Sequence, residues 1–254
     1  MDTIPVILAG ATGRTGEAVG RAICEAPDLN LVGAISERHR GEHLGARWNL
    51  PSLDVVLAGS VDELAGVDDA VLVDFTEAGS AFPRLKAAVR RGWDIVVGTT
   101  GFSAVEREEL EALVKAAQVG AAVIANFSIG AYALERLAVE TSRWFEAAEI
   151  LEGHHAQKRD KPSGTALHMA DLLAQALKKS PGDIPVHSIR LPGLVAHQAV
   201  VFGAKGQVVT LRHDVHDRSA YAEGALAAIR KVRSVSGRLM SDLGEVLENP
   251  PRFP

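Results

Sequence analysis

Two rhythms of apolar and polar residues divide this chain. In the first half, short and almost wholly apolar runs stand at 4–9, 31–35, 70–75, 94–98 and 121–125. Runs of that kind suit strands covered on both faces. Between them the pattern predicts helices over 16–26, 81–91 and 103–117, while 37–54 reads as irregular and polar. The last of these helices opens with a capping box, Ser103 and Glu106, each side chain satisfying the other's free backbone donor. Repeated strand–helix alternation predicts an α/β fold with a parallel, doubly wound, Rossmann-type sheet.

After Asn126 the rhythm changes. A helix is expected over 129–145, a strand over 149–155 and a helix over 165–179. Strands then follow at 186–190, 195–202 and 208–214 with few helices between them. That reads as a second, α+β domain on a mainly antiparallel sheet. A final helix near 220–235 is Ala-rich like the first half, so the tail is expected to pack back on the first domain. The expected division is 1–125 with 219–254 for one domain and 126–218 for the other.

Composition narrows the classes. The 254 residues allow one large domain or two modest ones. With 47% hydrophobic and 23% charged residues, the balance is that of a soluble globular protein. Lys and Arg total 27 against 32 Asp and Glu, and this net charge of −5 argues against nucleic acid as a partner. The single cysteine, Cys24, excludes an internal disulfide and a multi-cysteine metal site, and fits a reducing cytoplasm. Asp2 stands where a signal peptide would be basic, and the apolar run at 4–9 is too short for its core. The longest uncharged stretch, 116–134, is interrupted by Gln118, Gly120, Asn126, Ser128 and Gly130, so no membrane span is expected.

The turn after the first strand, Gly10-Ala11-Thr12-Gly13-Arg14-Thr15-Gly16, carries the first chemistry. Glycines there permit a tight turn and a close backbone approach to pyrophosphate, and the following helix start offers free N–H groups. The spacing is GxxGxxG rather than GxGxxG, so context matters. Glu37 ends the next strand 21 residues beyond Gly16, where a carboxylate can accept ribose hydroxyls. Arg38 beside it could pair with a 2′-phosphate, so the two together predict use of either NADH or NADPH. The plainer alternative is a glycine-rich turn beside an unrelated surface acid.

Ligands of such sheets sit beyond the carboxyl ends of the strands. Three further loops lie there: Asp74-Phe75-Thr76, Gly98-Thr99-Thr100-Gly101-Phe102 and Asn126-Phe127-Ser128 after Ala125. The segment from Glu152 to Ala166 is more distinctive. It sets His154, His155, Lys158, Arg159 and Lys161 before a Pro162-Ser163-Gly164-Thr165 turn that opens a helix. The helix start, with the Ser163 and Thr165 hydroxyls, can bind a carboxylate, and Lys158 can hold a second. Either His154 or His155 could donate a proton near neutral pH. Neighbours in a strand face opposite ways, so the two imidazoles should not share one role. His39/His43 and His213/His216 have metal-like spacing without a convincing ligand set, and no metal is expected.

These motifs resemble the 4-hydroxy-tetrahydrodipicolinate (dihydrodipicolinate) reductase family of bacterial lysine and diaminopimelate biosynthesis. The resemblance runs through GATGRTG at 10–16, VDFT at 73–76, VVGTTGF at 96–102 and ANFSIG at 125–130. It continues in EGHHAQKRDKPSGTAL at 152–167, GLVAHQAVVFG at 193–203 and DRSAYAEGAL at 217–226. It implies a nicotinamide-binding domain, a substrate domain whose sheet builds a homotetramer, and hydride delivery to C4 of a cyclic dicarboxylate. It further implies His154 as the acid that protonates C3 and Lys158 as the holder of a carboxylate. His155, Ser163, Gly164, Thr165 and Thr100 would complete the substrate pocket. Gly10, Arg14, Gly16, Glu37, Arg38, Phe75, Thr76, Gly98 and Asn126 would line the cofactor side. Thr12, Gly13, Thr15, Thr99, Thr100, Ala125 and Phe127 share those loops and join the cofactor set, Thr100 serving both sets.

Four departures stand out: Thr15 where Met is usual, Ala125 where Pro is frequent, Lys161 where Ala is common, and a short connection at 179–184. Lys161 leaves room for a reductase of another cyclic imine or dicarboxylate. A non-catalytic nicotinamide-sensing module is the third reading, which would not need the His154–Lys158 set.

Overall fold

The computed structural model describes residues 3–64 and 66–247. Residues 1–2, 65 and 248–254 of the expected first domain lie outside the described residues. The chain forms two units. One holds the described residues up to Phe127 together with those from Tyr221 onward, and the other is Ser128–Ala220.

The first unit begins with β1 (Ile4–Ala9), α1 (Arg14–Glu25) and β2 (Leu29–Ile35). The stretch expected to be irregular contains a one-turn helix at Glu37–His39 and α2 (Leu44–Trp48), followed by the short β3 (Leu57–Ala58). Leu44 and Trp48, four apart, are both buried, and Asn49 ends α2 in the left-handed region at φ 55°. A five-residue helix is too short for periodicity to reveal; two anchors hold it. Then come β4 (Val71–Asp74), α3 (Ala78–Arg90), β5 (Asp94–Val97), α4 (Ala104–Ala117) and β6 (Gly120–Val123). The capping box at Ser103 and Glu106 starts α4.

The second unit runs α5 (Ile129–Thr141), β7 (Ala147–His154), α6 (Gly164–Ala176), β8 (Val186–Arg190), β9 (Ala196–Ala204) and β10 (Gln207–Val215). The helix expected to reach 145 gives way at Thr141 to a single tighter turn, Ser142–Trp144. There the Ser142 hydroxyl donates back to the Val139 carbonyl at 2.7 Å. The sheet order is β10-β9-β7-β8, with the β9 pairs antiparallel and β7–β8 parallel. Its core face packs Ile150, Val200 and Phe202 with Leu134, Met169 and Leu173 of α5 and α6. The opposite face exposes Leu151, Ile189 and Val208.

The chain ends in the first unit with α7 (Ala222–Val232), β11 (Arg238–Met240) and α8 (Leu243–Leu247). All seven strands of this unit's sheet are parallel, in the order β11-β6-β5-β4-β1-β2-β3. β4, β5 and β6 are buried along their whole length, as their apolar runs require. Two glycines admit α7 closely. A Cβ on Gly120 would lie 2.0 Å from the Val232 carbonyl oxygen, and one on Gly224 equally close to that of Phe127. Arg230 pairs with Asp28 at 2.7 Å, and Arg233 with Asp69 and Asp94 at 2.6 Å. Among the described residues, no helix is long and apolar enough to cross a membrane.

Candidate functional site

In the first unit the glycine turn sits at the carboxyl end of β1. Gly10 has φ 88° and a Cβ there would meet the Phe75 carbonyl at 2.5 Å. A Cβ on Gly16 would lie 2.0 Å from the Gly10 carbonyl oxygen. Both positions therefore admit glycine alone. Gly13 caps α1 without a side-chain hydrogen bond, so the helix start meets solvent with its N–H groups bare of any side-chain cap. Gly13 and Arg14 are exposed, and Thr12 and Thr15 half-buried. This cradle fits a pyrophosphate. Trp48 braces it from behind, its Nε1 donating to the Ala11 carbonyl at 3.1 Å while its ring fills the space over Gly20. Sequence reasoning missed Trp48; the signal available was a lone Trp inside a polar stretch.

Glu37 and Arg38 occupy the one-turn helix just beyond β2, both exposed. The next two loops are tied together by Asp74, which is fully buried. Its Oδ1 accepts from the Thr76 hydroxyl at 2.6 Å, the Thr76 N–H at 2.9 Å and the Thr99 hydroxyl at 2.9 Å. Its Oδ2 pairs with Arg84 of α3. The Thr99 hydroxyl also accepts from the Thr76 N–H at 2.9 Å, so it braces the loops and is itself buried. Phe75 lies edge-on to Phe127, with ring centroids 5.6 Å apart. Gly98 leaves room for the Phe75 ring, whose edge would lie 2.2 Å from a Cβ. Thr100 and Ala125 are exposed, Asn126 is half-buried and Phe127 is buried.

In the second unit, alternation along β7 puts Ala148, Ile150 and Glu152 on the core face, and strand order ends at His154. Glu152 and His154 are two apart and meet: His154 Nδ1 lies 2.5 Å from Glu152 Oε2. Arg190, paired with His154 in the β7–β8 register, donates from Nη1 to the same Oε2 at 2.9 Å, and its Nη2 lies 2.8 Å from Oε1. Arg190 Nη2 also donates to the Asp160 carbonyl at 2.7 Å. Burial pushes the Glu152 carboxyl up, but hydrogen bonds from Arg190, Ser188 and His154 outweigh it and hold the group below its usual range. Burial likewise holds the His154 imidazole below its ordinary value; the Glu152 carboxylate opposes this, while Lys158 and Arg190 add to it.

His155 lies past the strand, with Nδ1 3.2 Å from Gln157 Oε1. The Lys158 ammonium pairs with Asp160 at 2.8 Å, which leaves it two further donors. Ser163 caps α6, its buried hydroxyl accepting from the Ala166 N–H at 3.3 Å and keeping its own hydrogen to give. Nothing lies within 4 Å of where a Gly164 Cβ would be, so a ligand can approach this backbone directly. Thr165 is half-buried, and Lys161 is exposed. Glu152 and Arg190 are functional-site neighbours that sequence reasoning passed over. An acid at an apolar-face position of a strand was the signal.

Comparison with known proteins assigns both units. Residues 4–127 match the model described as "Dihydrodipicolinate reductase, N-terminus" and 130–247 the one described as "Dihydrodipicolinate reductase, C-terminus". A protein of Moorella thermoacetica named 4-hydroxy-tetrahydrodipicolinate reductase is 42% identical over 256 residues, covering 92% of this chain and 95% of that one. One of Thermosynechococcus vestitus with the same name is 40% identical, covering 96% and 97%. Among solved structures, a dipicolinate-bound dihydrodipicolinate reductase from a Paenisporosarcina species superposes with a TM-score of 0.82. It is 29% identical and covers 96% of this chain and all of that one. An NAD complex of GenD2 from gentamicin biosynthesis, 15% identical with a TM-score of 0.63 over 92% of this chain and 87% of that one, shares the fold.

Proposed function

The chain belongs to the dihydrodipicolinate reductase family, and from that premise we propose how it works: the first unit binds NADH or NADPH, the second holds the cyclic dicarboxylate, and His154 gives the proton that completes reduction. The activity is reduction of 4-hydroxy-tetrahydrodipicolinate to tetrahydrodipicolinate, its 4-hydroxyl leaving as water, a step of lysine and diaminopimelate biosynthesis. The reduced nicotinamide supplies the hydride, which this reading delivers to C4.

The chain's own residues do the rest. The start of α6, with the Ser163 hydroxyl and the open backbone at Gly164, receives one carboxylate, and Lys158 the other. His155 and Thr165 complete that set. His154, as imidazolium, gives its Nε2 proton to C3 and is left neutral. The single observation that carries this reading is the segment from Glu152 to Thr165. There one strand end and one Ser163-capped helix start bring an imidazole, an ammonium and backbone N–H groups into a single unit. Lys161, the departure that could have signalled another substrate, is exposed. Gly10, Thr12, Gly13, Arg14, Thr15 and Gly16 receive the pyrophosphate in this reading. Glu37 with Arg38 accept either ribose or its 2′-phosphate, and Phe75, Thr76, Gly98, Thr99, Ala125, Asn126 and Phe127 form the nicotinamide side.

Self-association belongs to the same reading. The bare face of the second sheet, with Leu151, Ile189 and Val208 exposed, supports a homotetramer built on it. A reducing cytoplasm suits the free Cys24 and the biosynthetic role. The test is an assay with substrate made fresh by the preceding synthase, following loss of reduced nicotinamide. Turnover is expected with both NADH and NADPH, competed by pyridine-2,6-dicarboxylate, from a species of four chains by light scattering. No turnover with either cofactor overturns the function.

A further inference from the structure

We propose that Glu152, held ionised by Arg190, is the positioning residue of His154: it fixes the imidazole with its proton on Nδ1, so that Nε2 is the nitrogen that delivers and regains the reaction's proton. The inference rests on the reading of His154 as the acid.

Glu152 stands on the core face of β7, in line with Ala148 and Ile150, and is 1% exposed. A carboxylate in that place is costly unless it is paired and hydrogen-bonded. An apolar residue would satisfy the β-strand pattern at no such cost. Arg190 is instead its ion partner, with Nη2 2.8 Å from Oε1 and Nη1 donating to Oε2 at 2.9 Å. What remains of Oε2 points at His154 Nδ1, 2.5 Å away. An ionised carboxylate only accepts, so Nδ1 must carry the hydrogen. The neutral ring formed after proton donation is then the Nδ1–H tautomer, with its lone pair on Nε2.

Arg190 extends the arrangement. Its Nη2 also donates to the Asp160 carbonyl at 2.7 Å, and the Asp160 side chain pairs with Lys158 at 2.8 Å. One guanidinium thus joins the strand end that bears His154 to the loop that bears Lys158. The charged groups acting on His154 are Glu152 of its own strand, Arg190 of β8 and Lys158 of the following loop. Glu152 alone favours the imidazolium; the other two oppose it. Protonation of C3 needs that imidazolium. Removing the carboxylate must therefore move the loss of activity, on raising pH, to lower pH.

The experiment joins kinetics of Glu152→Gln with the tautomer of His154 in the unaltered protein. In Glu152→Gln the side-chain oxygen keeps Arg190 and the amide NH₂ turns toward Nδ1, which favours the wrong tautomer. The kcat is expected to fall by at least roughly 10- to 100-fold, the loss seen when the outer partner of a metal-bound histidine is changed, with NADH affinity unchanged. The high-pH limb of kcat/KM should shift downward. Nitrogen NMR of histidine-labelled protein, with His154 assigned by its loss in His154→Gln, should show neutral His154 protonated on Nδ1. A folded Glu152→Gln with unchanged kcat and an unmoved limb overturns the proposal. So does an Nε2-protonated His154 in the unaltered protein, which decides the matter even where the variant does not fold. If His154→Gln itself keeps its rate, the acid reading fails instead, so the two failures are told apart.

Discussion

Each unit hides one carboxylate–arginine pair behind its ligand-facing surface, and the two pairs do different work. Asp74 with Arg84 in the first unit grips two threonine hydroxyls and a backbone N–H, tying loops to one another. Glu152 with Arg190 in the second unit grips an imidazole. The surface in front follows suit. Around Asp74 the ligand-facing groups are glycines, hydroxyls and an aromatic pair, groups that set shape and do not titrate near neutrality. In front of Glu152 stand an imidazole, His154, and an amine, Lys158. A cofactor brings its own reactivity and needs to be placed; a substrate that must be protonated needs a group whose proton is under control. On the proposed reading, the same structural device serves geometry in one unit and protonation in the other.

That contrast can be broken in three places. The largest effect belongs to His154→Gln, for which kcat is expected to fall about 10²- to 10⁴-fold, the range a positioned acid contributes, while NADH affinity measured by fluorescence titration stays the same. A comparable loss of NADH affinity would show that the two roles are not separate. Next comes Asp74→Asn. It leaves the Arg84 cation, mostly buried, without its charge partner, and about 3–5 kcal/mol of stability should be lost in urea denaturation. NADH binding should weaken as the loops loosen, with the pH limbs of kcat/KM where they were; a moved limb would give the first unit a share in titration. The smallest is Gly16→Ala. The new methyl meets the Gly10 carbonyl, so about 1–3 kcal/mol of overpacking strain is expected, read as a lower melting temperature and weaker NADH binding. At saturating NADH kcat should survive. If kcat falls while binding holds, the turn does more than hold phosphates.

Much of this was legible in the chain. Buried parallel strands must be apolar throughout, so β1, β4, β5 and β6 announced themselves. The capping box of α4 is a local pattern and was read as one. The glycine turn and the His154–Thr165 segment were visible because tight turns and charge clusters depend on residues adjacent in sequence. α2, β3 and β11 were not visible. Each is five residues or fewer and exists because something distant receives it, as β6 receives Arg238–Met240 through Gly120–Ala122. The same holds for Trp48 behind the glycine turn, 37 residues from the carbonyl it supports.

The sequence by itself determined the alternation of strands and helices, the change of rhythm after Asn126, and which short segments carry glycine turns and clustered charge. These rest on backbone periodicity and on contacts between near neighbours. Tertiary structure alone decided that Arg190 would stand behind the Glu152–His154 pair. That contact needs β7 and β8, 38 positions apart at the Glu152–Arg190 pair, to lie parallel in one register, and a single residue's slip would turn the guanidinium to the other face.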